Sequence, residues 1–243
     1  MFLSTTQDRF TKLIISLRYY HRTINVKKLV DVGFTYIPRN STLARMMRLN
    51  KLPTTPHLPG IREMTSNDIP QVATLFTRYM ERFTMTPIMD LDELKHMFLS
   101  GLGEGPAPQD GLGRRDKQVV WPYVVEDPQT HKITDFFTFY SLPSTIMKNT
   151  KYDLLEAAYL FYYASDVAFQ EGAEEDGRLK KRLQDLMTDA LIIANAANFD
   201  VFNALTLMDN CNFLTDLKVC PLFSVKMKFT HSLCFSSGPE MGC

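Results

Sequence analysis

The sequence predicts an α/β fold built on one mixed sheet. Three observations carry that prediction. Short β-branched and aromatic runs interleave with amphipathic stretches of helical period. Glycine and proline punctuate most of the boundaries between them, and no internal repeat divides the chain into copies.

Taken in order, "KLIISLRYY" and "KLVDVGFTYI" read as extended pieces, separated by the turn-like "RTINVK" and closed by Pro38. "STLARMMRLNKLP" spaces Leu43, Met46, Met47 and Leu49 as a short helix that stops before Pro53. "PTTPHLPG" follows as a stiff linker rather than a packed element. "IREMTSNDIPQVATLFTRYMERF" opens with a strand, then offers Ser66 or Asn67 as a cap and Pro70 in the first turn of an amphipathic helix. "DLDELKHMF" predicts a second, shorter helix capped by Asp90.

"SGLGEGPAPQDGLGRRDK" has almost no bulky apolar side chain to repay its ordering entropy and reads as a mobile surface insertion. A hairpin is expected in "VVWPYVVEDPQTHKITDFFTFYSLP", turning at Asp127-Pro128. "LLEAAYLFYYASDVAF" suits a central strand, although its first residues would also extend a helix. The charged loop "QEGAEEDG" precedes a long helix with Leu179, Leu183, Leu186, Met187, Ala190, Ile193, Ala194 and Ala197 on one stripe. "DVFNAL" and "NFLTDLK" end the pattern as a short strand and a helical turn.

Composition narrows the function. Apolar residues at 45% and charged residues at 22% of 243 are those of an ordinary folded chain. The 27 basic residues equal the 27 acidic ones, so there is no global excess of positive charge to hold a nucleic acid. A local basic segment around Arg39, Arg45, Arg48 and Lys51 either meets an acidic partner or is simply solvated. Cys211, Cys220, Cys234 and Cys243 form no CxxC pair, and the N-terminus lacks the order of a signal peptide. No run approaches the ~20 apolar residues of a transmembrane helix, so a cytoplasmic protein with reduced thiols is expected.

Motifs for hydrolytic or metal chemistry do not emerge. There is no GxSxG elbow, and His21, His57, His96, His131 and His231 are scattered without ligand spacing. More suggestive is "SLRYYHRTINVKKL", which sets Tyr19, Tyr20 and His21 beside an apolar run, in keeping with a ligand cleft or with a core. Ser144 and Thr145 leave a strand at Pro143, where hydroxyls either contact a peptide or cap a turn. Asn203 is an amide in a buried-looking strand, to be satisfied by backbone or by ligand. The rings of Tyr159, Phe161, Tyr162 and Tyr163 fit a core or a pocket.

These pieces resemble one family. "RYYHRTINVKKLVDVGF", "LNKLPTTPHLPGIREM", "DIPQVATLFTRY", "TDFFTFYSLPSTIM", "AAYLFYYAS" and "FDVFNALTLMDNCNFLTDLK" look like consecutive blocks of glycylpeptide N-myristoyltransferase, over roughly residues 16–218 and corresponding to its C-terminal half. The resemblance implies a GCN5-related acetyltransferase-like domain, one half of a two-fold architecture. It implies that residues 1–60 are extended segments and a connector, that 61–218 form the peptide-binding domain, and that 219–243 are a divergent tail. It further implies that Tyr19, His21, Phe34, Ser144, Tyr159 and Asn203 shape the groove for an N-terminal glycine peptide. The family's acyl donor is myristoyl-CoA, which the resemblance assigns to the other half; no catalytic, cofactor-binding or metal-binding residue is identified in this chain.

Beyond Lys218 the family's Phe-Gly-x-Gly-Asp-Gly signature and its C-terminal catalytic carboxylate give way to "VCPLFSVKMKFTHSLCFSSGPEMGC". Phe223, Val225, Met227 and Phe229 still alternate with polar residues as in a strand. The expectation is a chain with an altered end that carries the acceptor side and is catalytically incomplete by itself.

Overall fold

The computed structural model describes residues 14–84, 86–106, 108, 112–147, 149–217 and 220–228. Nine strands are described. They are β1 (Ile14–Thr23), β2 (Ile61–Glu63), β3 (Val120–Glu126), β4 (Ile133–Ser141), β5 (Ser144–Thr145), β6 (Leu154–Leu155), β7 (Ala157–Ser165), β8 (Val201–Leu205) and β9 (Cys220–Lys228). The helices are α1 (Val26–Asp31), α2 (Leu43–Asn50), α3 (Ile69–Met80), α4 (Leu91–Leu99), α5 (Arg178–Ala196) and α6 (Asn210–Phe213).

Seven strands form the main sheet in the order β2-β3-β4-β7-β8-β1-β9, while β5 and β6 make a separate small hairpin. Every neighbouring pair is antiparallel except β7 and β8. That one parallel step is bridged by the long helix α5, as a parallel crossover requires. The sheet is therefore mixed, as the interleaved pattern predicts.

Aromatic packing shows how the layers meet. Phe136 on β4 touches Phe76 of α3 and Phe98 of α4, with centroids 6.2 and 5.7 Å away. Phe139 instead stacks on Trp121 and meets Phe199, just past the end of α5. Helices α3 and α4 thus cover one face of the sheet, and α5 the other. The eight residues expected on the stripe of α5 are all buried.

A bulge in β7 sets Phe161 and Tyr162 opposite the single residue Thr138 of β4. The buried Thr138 hydroxyl repairs it, donating to the Tyr162 carbonyl and accepting from the Tyr162 amide, each at 3.1 Å. A side chain thereby replaces the missing ladder bonds that a buried backbone cannot forgo.

Four local expectations are corrected. "KLVDVGFTYI" does not run extended: its start lies in α1, because Asn25 caps the Lys28 amide and Val26 and Leu29 are buried. Local capping and burial there outweigh the β-propensity of the valines. Helix α3 is preceded by Asp68 rather than Ser66 or Asn67, and the Asp68 carboxylate is spent on Arg62 and Thr65 instead of a helix amide.

The linker "PTTPHLPG" is packed, not merely stiff. Leu58 is buried, and the backbone amides of His57 and Leu58 donate to the fully buried Asp189 carboxylate of α5 at 2.8 and 2.9 Å. The described parts of the glycine-rich insertion are likewise tied down. Glu104 bridges Asp116, Arg115 pairs with Glu63, and the Trp121 indole donates to the Gly113 carbonyl at 2.9 Å. Gly103 has φ +82°, and a Cβ there would stand 2.4 Å from the Asp116 carbonyl oxygen.

The backbone of β9 is a strand, as expected for this part of the tail, and pairs antiparallel with β1; Phe229, the last residue of the expected alternation, lies outside the described residues. Asp90 caps α4 through a full capping box with Glu93.

Replacing Thr138 by valine keeps shape and removes the bulge's hydrogen bonds. Urea unfolding is expected to show a loss of roughly 1–3 kcal/mol, whereas Phe139→Ala is expected to cost about 3–5 kcal/mol through the cavity it leaves.

Candidate functional site

The register of the sheet decides what faces what. Tyr19 and His21, two apart on β1, share one face, and β8 sets Leu205 and Asn203 opposite them. Across the parallel pair, Asn203 lies level with Tyr159 of β7. Phe34 is brought in by the turn after α1, where its amide donates to the Leu29 carbonyl at 2.9 Å. Ser144 arrives on β5, which leaves the main sheet after the Leu142 amide donates to the Ala157 carbonyl, also at 2.9 Å.

Tyr19, Phe34, Ser144, Tyr159 and Asn203 line one cleft of about 210 Å³, together with Leu155, Ala157 and Val201. His21 adjoins it through Phe34. The two rings meet edge to face, with centroids 5.2 Å apart and an interplanar angle of 84°. All six residues singled out in the sequence are therefore gathered in one place. Leu155, Ala157 and Val201 escape sequence reading because small and aliphatic residues in strands carry no signal beyond burial.

The cleft is electrically neutral. Burial holds the His21 imidazole below its ordinary pKa, and its Nδ1 is buried without a hydrogen-bond partner among the described residues. Burial, followed by the neighbouring Tyr19, pushes the Tyr159 phenol up. Tyr140, stacked on Tyr159 at 5.6 Å, is raised by burial and by both tyrosines. At neutral pH the cleft thus offers phenol and hydroxyl groups, an amide and apolar wall. No carboxylate is among its lining residues. Such a surface holds a polar backbone or an amine by neutral hydrogen bonds, and the nearest group able to take a proton is the neutral His21 imidazole beside Phe34.

What assembles the cleft is an acid that sequence reading passed over. Asp200, 3% exposed, immediately precedes β8. Its carboxylate accepts from the Asn25 amide group at 2.9 Å, the Lys28 ammonium at 2.6 Å and the Glu156 backbone amide at 2.9 Å. Its carbonyl accepts from the amides of Ile24 and Asn25. One residue thus ties the β1–α1 corner, the start of β7 and the start of β8, the segments that carry most of the wall. A buried charge needs such partners, but "NFDVF" alone gives no sign that its acid turns inward. The only hint was its place between Phe199 and Val201, both buried.

A second clasp holds the β5–β6 hairpin. Lys151 pairs with Asp31 of α1 at 2.6 Å, and the ammonium groups of Lys151 and Lys28 stand 4.8 and 5.4 Å from the centre of the Tyr152 ring. From the insertion, Arg114 reaches Glu156 at 2.9 Å while covering the rings of Trp121 and Phe199.

With this geometry, the chain aligns with a crystal structure of Saccharomyces cerevisiae N-myristoyltransferase with bound myristoyl-CoA at a TM-score of 0.77 and 45% identity, covering 86% of this chain and 48% of that one. The fold is of the GCN5-related acetyltransferase type. In sequence it is 47% identical over 205 residues to a glycylpeptide N-tetradecanoyltransferase of Aspergillus fumigatus, covering 84% of this chain and 39% of the relative. The corresponding enzyme of Saccharomyces cerevisiae is 46% identical over 212 residues, covering 86% and 44%. Residues 31–224 match the family "Myristoyl-CoA:protein N-myristoyltransferase, C-terminal domain". The chain belongs to that family, and it spans less than half the length of these relatives.

Asp200→Ala leaves Lys28 without its buried partner and is expected to cost about 3 kcal/mol in urea unfolding, with Asp200→Asn losing less. His21 gives a signed pH effect. Its folded pKa is depressed, so between that value and about 6.5 the unfolded chain binds more protons. Its stabilising share is complete above the unfolded value and is lost as pH falls through the folded one. As pH falls below about 6.5, unfolding free energy is expected to decline less in His21→Phe than in the parent chain.

Proposed function

We propose that this chain forms the acceptor side of an N-myristoyltransferase, whose reaction moves the myristoyl group of myristoyl-CoA to the N-terminal glycine of a protein. The observation that carries this reading is the convergence of Tyr19, Phe34, Ser144, Tyr159 and Asn203 on one neutral cleft, with His21 against Phe34. A peptide amine must be neutral to attack a thioester. A cleft that keeps its own imidazole and phenols uncharged offers an acceptor hydrogen bonds without a fixed charge. Asn203 and Ser144 would hold the peptide backbone, and Tyr19, Tyr159 and Phe34 would enclose its first side chains.

We assign the peptide role to these residues and no residue of this chain to the donor. A cytoplasmic setting agrees with Cys211 as a free thiol. The described residues contain no helix long and apolar enough to cross a membrane.

Titration with a short peptide beginning in glycine is expected to show saturable binding, weakened at least roughly tenfold by Tyr159→Ala or Asn203→Ala, the loss of one good buried contact. Affinity unchanged in both variants removes the cleft from acceptor binding. Incubation with labelled myristoyl-CoA and the same peptide measures whether the chain by itself completes the transfer.

A further inference from the structure

We propose that α2 and its flanking residues form a docking face for the headgroup layer of an anionic phospholipid bilayer. The first support is charge distribution. The chain as a whole is balanced, yet residues 32–62 contain no aspartate or glutamate, while Arg39, Arg45, Arg48 and Lys51 fall within them. Most of the other described cations are spoken for: Arg62, Arg82, Arg114, Arg115, Arg178 and Arg182 all stand in ion pairs. Among the described residues, Arg39, Arg45, Arg48 and Lys51 stand in none.

The second support is how the helix sits. None of its residues is buried. It is seated by half-buried Leu43, Met46 and Asn50, with the Asn50 side chain accepting from Arg22 and donating to the Met46 carbonyl at 2.9 Å. Arg45 and Arg48, three apart, therefore share the outward side. Met47 and Leu49 flank that side, 48% and 50% exposed.

Guanidinium groups bordered by exposed apolar side chains are the pattern of a surface helix at a lipid interface, where arginines meet phosphates and the apolar flanks leave water. A polyanion such as RNA would use the charges but has no comparable use for Met47 and Leu49. With no net charge on the chain, attraction is confined to this face and to about one Debye length, ~8 Å at physiological salt. The proposal stands independently of the acceptor cleft.

The test is co-sedimentation of the full chain with vesicles of phosphatidylcholine alone or with about 30 mol % phosphatidylserine, at low and physiological salt. The expected result is partitioning at least roughly tenfold stronger onto the anionic vesicles, weakening as salt rises. Arg45→Glu with Arg48→Glu should remove most of this preference, and Arg45→Gln with Arg48→Gln should remove part of it. Met47→Ser with Leu49→Ser should reduce vesicle binding several-fold while leaving any binding to polyuridylic acid unchanged. Circular dichroism should be the same throughout, since no side chain of α2 is in the core. Equal binding to both vesicle types, or full binding by the charge-reversed variant, overturns the proposal. So does an apolar double variant that binds vesicles as well as the parent chain, which would mark the face as a site for polyanions.

Discussion

The cleft depends on one buried carboxylate. Asp200 neutralises Lys28, receives the Asn25 side chain and the Glu156 amide, and through its carbonyl holds the turn that follows β1. Strand pairing brings β1, β8 and β7 side by side, but it leaves undefined where the connections beyond their ends go. Those connections carry Phe34 and Leu155 into the cleft wall, beside Ala157 at the start of β7. A charge in a low-dielectric site tolerates few arrangements, because every lone pair left empty costs free energy. The knot therefore fixes loop geometry more narrowly than apolar packing would.

The opposite end of β8 repeats the device with different chemistry. Tyr79 of α3 donates to Asp209 at 2.5 Å, Arg82 pairs with the same carboxylate at 2.8 Å, and Tyr163 accepts from the Asp209 amide while donating to Asn210. Burial, then the adjacent Asp209 charge, pushes the Tyr79 phenol far up, so it remains a donor. Asn210 in turn donates to the Leu205 carbonyl at the end of β8. The strand bearing Asn203 is thus clamped at both ends by satisfied polar groups, and between the clamps its neighbours on the cleft are neutral. Fixed charge is kept at the anchors, and the binding surface is left to uncharged donors and acceptors.

Much of the architecture was legible because it is local. The stripe of α5, the capping box at Asp90, the hairpin around Asp127 and the central strand at "AAYLFYYAS" each follow from periodicity and turn chemistry within a few residues. Reading failed where a distant partner decided the outcome. Asp189, over a hundred residues away, turns the proline-rich linker into a packed strap. Glu63 and Glu156 hold the C-terminal end of an insertion whose composition suggests only looseness. Asn25, shared between the Lys28 amide and Asp200, turns an apparently extended segment into α1.

The six cleft residues show the same division. Residue types that suit a ligand wall, and a resemblance of whole blocks, were present in the sequence as separate stretches far apart along it. By itself the sequence determined most of the elements, the buried stripe of α5 and the family, since hydrophobic period and block order are properties of the chain. That Tyr19 and Asn203 line one cleft, beside an imidazole kept neutral by burial, was decided by strand register and by the Asp200 knot. Both are long-range: a register exists only between two strands, and a buried charge finds its partners only once the chain has closed around it.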